Sequence, residues 1–206
     1  MWKRTTLIGA GALTVLAIST GCSSSNEPEH PAGHSSPPSA TAAPGATAAA
    51  EAHNDADVTF AQQMIPHHTQ AIEMSDTLLA KQGIDPRVTE LANQIKAAQG
   101  PEIQQMQGWL TQWGTVPMPP MSGHGEMTGM SGMMSEQDMT ALRDAQGVGA
   151  AKLFLTQMIS HHEGAITMAQ TEIKDGQYPP AVEMARAIVA AQQREIDTMN
   201  GILASL

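Results

Sequence analysis

The chain is poor in several things at once. It has one cysteine among 206 residues, Cys22, so no disulfide framework holds it together. Aromatics make up 3% of the chain, while Met is abundant at 15 residues and Ala and Gln are frequent. That balance favours helices over strands. Basic residues are scarce: Lys3 and Arg4 are the only ones before position 81, and the formal net charge is −10. An acidic surface repels nucleic acid and suits cations. The apolar stretch near the start, from about Leu7 to Ile18, is too short for a comfortable membrane span. No Ser/His/Asp or cysteine-nucleophile arrangement is evident, so the sequence does not read as an enzyme.

What is present begins with a processing signal. Met1-Trp-Lys-Arg gives a positive start, the Leu7–Ile18 stretch follows, and Ser19-Thr-Gly-Cys22 closes it. Residues 1–22 resemble a bacterial lipoprotein signal, which implies lipidation at Cys22 and an anchor on the outer face of the cell membrane. Ordinary signal cleavage nearby is the plainer alternative; both place the mature chain outside the cytoplasm. Residues 23–53 are Ser, Pro, Ala, Gly and Thr with few apolar anchors. They bury too little surface to offset chain entropy and read as a disordered tether. His30, His34 and His53 lie in or beside it and read as ordinary polar residues.

The remaining residues, 54–206, contain an internal repeat. Phe60–Ser75 aligns with Phe154–Ala169, and nine of the sixteen positions are identical, including Met-Ile-x-His-His in both. Further on, Ile95–Met106 aligns with Ile188–Met199. Each unit reads as helix, turn, helix, with helices expected near 55–82, 86–112, 137–175 and 180–204. Gly83 and Gly176 stand where a helix C-terminal glycine belongs, and Asp85-Pro86 reads as an N-cap followed by a first-turn proline. Two helical hairpins that cannot bury their apolar faces alone predict an all-α, ferritin-like four-helix bundle. Pro66 removes one hydrogen bond from its helix, and a kinked continuous helix is expected there.

On a helical wheel, Phe60, Met64, His67, His68, Ala71 and Met74 share one stripe, as do Phe154, Met158, His161, His162, Ala165 and Met168. Both histidine pairs therefore face inward, or at least flank the inner face. Glu102 and Glu195 fall on the inward stripes of the second helix of each hairpin, beside Met106 and Met199, as possible additional ligands; buried carboxylates are costly unless paired or bound to metal. Di-iron bundles use Glu-x-x-His. Here the same spacing reads Met64-x-x-His67 and Met158-x-x-His161, so soft sulfur replaces carboxylate oxygen. That favours copper, most simply copper(I), over iron. Zinc would leave the methionines as spectators. A core-filling role for Met and hydrogen-bonded core histidines is the plainer reading of either motif alone; the duplication weighs against it.

The connector, residues 115–136, is rich in Gly, Pro and Ser. It and the residues just after it carry Met118, Met121, Met127, Met130, Met133, Met134 and Met139, with His124. Most of it has no helical or strand period, so core filling does not explain these thioethers. They suit capture of copper(I); an oxidant trap through reversible methionine sulfoxide is the alternative.

The paired Met-Ile-x-His-His motifs, each followed by Ala-Ile-x-Met, resemble the family catalogued as domain of unknown function 305. The resemblance covers about residues 54–204. It implies a ferritin-like bundle and kinship with periplasmic copper-binding proteins of the CopM type. By position it implies the ligands Met64, His67, His68, Met74, Met158, His161, His162 and Met168. The reading that follows is an exported, lipid-tethered protein that binds, buffers or sequesters copper in copper homeostasis or resistance. Its expected partners are the metal ion, the membrane and another copper-handling protein, and no nucleic acid. Two alternatives stand beside it: a ferritin-like metal-dependent oxidoreductase, and a non-metal interaction module of the cell envelope.

Overall fold

Local capping signals set where the helices begin. Asn54 accepts the N–H groups of Ala56 and Asp57 at 2.9 and 3.1 Å, and Asp57 accepts the Asn54 N–H at 2.6 Å. This capping box starts α1, Asp55–Leu79. Asp85 accepts the Arg87 N–H at 2.9 Å and, with Pro86 in the first position, starts α2, Pro86–Gln112. A second capping box, Ser135 with Asp138, opens the short α3, Glu136–Asp144. Two longer helices follow, α4 (Gly147–Asp175) and α5 (Pro179–Leu203). The computed structural model describes residues 52–115 and 131–206, and among them every regular element is a helix. These residues belong to one unit, Thr47–Leu206. None of their helices is long and apolar enough to cross a membrane. The signal at 1–22 with Cys22, the tether as far as residue 51, and Met118, Met121, His124, Met127 and Met130 lie outside the described residues.

Three expectations change in detail. The single helix expected at 137–175 is two, because Ala145 and Gln146 are extended. The Gln146-Gly-Val-Gly run is a weak helix former and yields there. As a result Met139, grouped with the connector thioethers by sequence, is 3% exposed in the core on α3. Gly83 does take the left-handed conformation, at φ 69°, but Gly176 is extended at φ −70°. Gly176 is needed for space instead: a Cβ there would stand 2.6 Å from the Glu172 backbone carbonyl oxygen. Helix α1 does run unbroken through Pro66, and α2 runs through Pro101 in the same way. In each, burial of the flanking helix face outweighs the roughly 3 kcal/mol a mid-helix proline costs.

The long helices pack as two hairpins, α1 on α2 and α4 on α5, joined mainly through α1 and α4. Two apolar clusters fill the bundle. One holds Met74, Leu78, Leu91, Ile95, Phe154, Met158 and Met199, with Met139 and Leu142 from α3. The other holds Phe60, Met64, Met106, Trp109, Ala165, Tyr178 and Ile188. Each long helix contributes to both clusters, and in each the buried side chains between the two contributions are polar, with a carboxylate beside them on α2 and α5. These are His67 and His68 on α1, Gln99 and Glu102 on α2, His161 and His162 on α4, and Gln192 and Glu195 on α5. The core is thus two apolar compartments with a polar layer between them.

Asp57 ties the start of α1 to the α4–α5 turn. Besides the Asn54 N–H it accepts those of Gln177 and Tyr178, the latter at 2.9 Å. Burial opposes its charge, but the neighbouring Glu172 carboxyl and these backbone N–H groups hold its carboxyl below the usual range. Glu172, 1% exposed, is pushed up to about 8 by burial and by the neighbouring Asp57 carboxylate. The Glu172 carboxyl is therefore protonated at neutral pH, beside the Asp57 carboxylate.

Because the folded protein holds this proton and the unfolded chain does not, the contribution of Glu172 to stability is full below 4.5. It falls as pH rises through the interval from 4.5 to about 8. Denaturant midpoints measured across that interval should drop further in the native protein than in Glu172→Gln, whose amide has no proton to lose. Parallel profiles for the two proteins would show that the two carboxyls do not share a proton.

Candidate metal centre

The polar layer is dominated by imidazoles. His67, His68 and His162 are 0% exposed and His161 is 1% exposed. They come from adjacent pairs on α1 and α4, and the His67 and His161 rings meet across the helix seam with centroids 3.7 Å apart. Adjacent residues on a helix diverge by about 100°. One histidine of each pair therefore lies at the α1–α4 seam, and the other turns toward its own hairpin partner helix.

The outer pair is oriented by carboxylates. His68 Nε2 lies 2.8 Å from Glu102 Oε2, and His162 Nε2 lies 2.6 Å from Glu195 Oε2. A carboxylate oxygen only accepts, so Nε2 carries the proton in both rings. Glu102 and Glu195 sit at the rim of the layer, with side chains 25% and 21% exposed, and reach the rings from outside. Their place is behind the histidines, as in the carboxylate–histidine–metal arrangement. His67 Nε2 meets the Ser131 carbonyl oxygen at 3.1 Å and is protonated there for the same reason.

The other nitrogens have no partner. His67, His68 and His162 each bury an unpartnered Nδ1, and His161 buries both of its nitrogens without one. Burial, reinforced by repulsion from His68, pushes His67 down to about 3. Burial and the neighbouring imidazoles hold His161 well below the ordinary histidine range. Both rings therefore stay neutral through neutral and mildly acidic pH, and each keeps an unprotonated nitrogen. Burial thus moves protonation of these two rings well below the ordinary histidine range.

The thioethers divide between the compartments. Met64 and Met158, three residues before the first histidine of each pair, are 0% exposed in opposite apolar clusters, as are Met106 and Met199. Met74 is fully buried, whereas its repeat partner Met168 is only partly buried. Helix α3 accounts for the difference. It packs on α1 and α4 at the Met74 end of their seam. At the other end the seam opens into a cleft of about 310 Å³ lined by Phe60, Gln63, Met168 and Glu172. Met133 and Met134 are partly buried. The Met134 N–H donates to Gln70 Oε1 at 2.7 Å, and its carbonyl accepts from Gln70 Nε2 at 2.9 Å. His53 stacks on Trp113 with ring centroids 4.5 Å apart, at the aromatic end of the bundle.

Among the described residues, no three His, Cys, Asp or Glu side chains converge as a metal cage. The donor set fits a soft ion held by imidazole and thioether better than it fits zinc, whose sites are built from His, Cys and carboxylate. Sequence reasoning missed the buried amides Gln99 and Gln192 and the Ser131 carbonyl. The repeat alignment pairs Gln99 with Gln192 and offers a signal for both; a backbone carbonyl has none.

The chain matches the family model described as a domain of unknown function (DUF305) over residues 57–203. Among solved structures it is similar to a DUF305 fragment from Deinococcus radiodurans, with 34% identity over 74% of this chain and 98% of that one and a TM-score of 0.67. It is also similar to a DUF305 protein of Streptomyces coelicolor described as secreted, with 32% identity over 73% and 91% and a TM-score of 0.66. A third relative is CopM in its Cu(II)-bound form, with 32% identity over 72% and 96% and a TM-score of 0.63. CopM is also solved with Cu(I) and with silver. No curated protein matches. With most of its length covered by the family model, this chain belongs to the DUF305 family.

Proposed function

We propose that this protein binds copper outside the cytoplasm, as copper(I) in its main form, and acts by holding and releasing the ion rather than by turnover. The observation that carries this reading is the set of unpartnered ring nitrogens in the histidine layer. A buried polar group without a partner costs about 1–3 kcal/mol, and the cost recurs here on every histidine of the layer. Ligation by a metal ion explains why both repeats retain it. The likeness to CopM, with its copper- and silver-bound forms, supports the same reading.

His67, His68, His161 and His162 supply the nitrogens, and Met64 and Met158 are the thioethers nearest to them in sequence. Neutral imidazole binds copper in either oxidation state, and sulfur selects the reduced one. The connector methionines Met118, Met121, Met127 and Met130 capture copper(I) and pass it to the layer by ligand exchange. A lipid on Cys22 keeps the bundle at the outer face of the membrane, where another copper-handling protein delivers or takes the ion.

The interaction-module reading expects histidines satisfied by Glu or backbone together with an exposed apolar groove. Only one nitrogen per ring is satisfied, in three of the four rings. Val148 is the one exposed large apolar residue among those described. The oxidoreductase reading gains nothing from Glu102 and Glu195, which lie behind the imidazoles.

Competitive copper(I) titration should show tight binding by the mature chain. Replacing His67, His68, His161 and His162 by Ala should abolish the tight phase, whereas replacing Met118, Met121, Met127 and Met130 by Ser should leave it and remove a weaker one. Native-protein affinity no better than that of free methionine peptides would sink the proposal.

Glu102→Ala and Glu195→Ala should each weaken binding by about 10–100-fold, the usual effect of losing a group behind a metal ligand. Unchanged affinity in both would remove the carboxylates from the site.

A further inference from the structure

Gln70 and Gly164 are repeat partners, each two residues after a histidine pair. They differ, and both contact the same short segment, Ser131–Met134. Gln70 brackets the Met134 backbone with two hydrogen bonds. Gly164 leaves room for the chain to pass: a Cβ there would stand 2.0 Å from the Ser131 carbonyl oxygen and 2.7 Å from the Gly132 Cα. Gly132 adopts φ +80°, and a Cβ on it would lie 2.6 Å from the Ser160 carbonyl oxygen. The segment therefore crosses the α1–α4 seam in backbone-to-backbone contact that only glycine permits on either side.

The crossing delivers the Ser131 carbonyl to His67 Nε2. In the outer pair, Glu102 and Glu195 fill this role. At the seam, His67 has the strap, and the two His161 nitrogens have no hydrogen-bond partner.

We infer that Ser131–Met134 is a positioning strap of the metal centre: docked by Gln70 and Gly164, its Ser131 carbonyl holds the His67 proton on Nε2 and leaves Nδ1 as the nitrogen that meets a soft cation. The inference rests on the proposed copper reading for its ligand, but the assignment of the His67 proton stands without metal. Docking of the strap and binding of the ion then favour one another by the same factor. The end of the methionine-rich connector is thereby anchored at the site it serves.

The test uses the mature full chain, with Gly164→Ala to block the crossing and Gln70→Ala to release its far end. Neither position is a proposed ligand. Gln70, partly buried on α1, carries the test where Gly164→Ala fails to fold. Long-range nitrogen–proton NMR of the imidazoles, recorded without metal, should place the His67 proton on Nε2 in the native chain. In the variants the fixed tautomer should be lost while the His68 and His162 signals stay unchanged. Competitive copper(I) titration should show affinity about 10–100-fold weaker in the variants, the loss expected for a group that orients a ligand. A His67 proton on Nδ1 in the native chain, an unaltered tautomer in the variants, or unchanged copper(I) affinity would overturn the strap. A native chain that binds no copper(I) yet shows the expected tautomer change would sink the copper reading and leave the strap standing.

Discussion

Four imidazoles buried between two apolar clusters are the constraint to which the rest of the bundle answers. An imidazole inside a protein costs free energy for every ring nitrogen left without a partner, and more if it is charged. The fold limits that cost by turning one nitrogen of His68 and His162 outward to Glu102 and Glu195 and one of His67 to Ser131. It accepts the remainder. The two apolar compartments supply the offset, with Phe154, Met64, Met74, Leu78, Ile95 and Met158 each fully buried. At about 25 cal/mol per Å² of apolar surface, such residues stabilise a layer that does not stabilise itself.

Much of this architecture was legible in the sequence. Helical periodicity reports which face of a helix turns inward, so the stripes through Met64, His67, His68 and Met74 and through their partners in α4 were readable. The wheel also put Glu102 and Glu195 on inner faces. Its limit is angular: it could not distinguish a carboxylate in the centre of the core from one reaching in from the rim. Nor does periodicity report what covers a seam from outside. Met74 and Met168 occupy identical places in the repeat, and only the docking of α3 at one end of the α1–α4 seam separates their environments. The break before α4 was hidden because the same apolar spacing continues across it in Met139 and Leu142.

The contacts that escaped sequence reading join residues far apart in the chain through backbone groups. Asp57 caps the turn at Gln177 and Tyr178, and Ser131 reaches His67 by a carbonyl. Both depend on how hairpins and connector meet. Each leaves only an indirect trace: a carboxylate that also serves as a local cap, and Gly164 in the middle of a helix.

The unequal pair at positions 70 and 164 has a consequence for how such a layer is encoded. Two identical hairpins associating as a homodimer would build the same four-histidine layer, since an isologous interface repeats every contact. Such a dimer must carry the same residue at both copies of a position. It could not present a bracketing amide on one face of the seam and bare backbone on the other. Joining the hairpins in one polypeptide removes that restriction, and the connector that joins them is also the segment that exploits it.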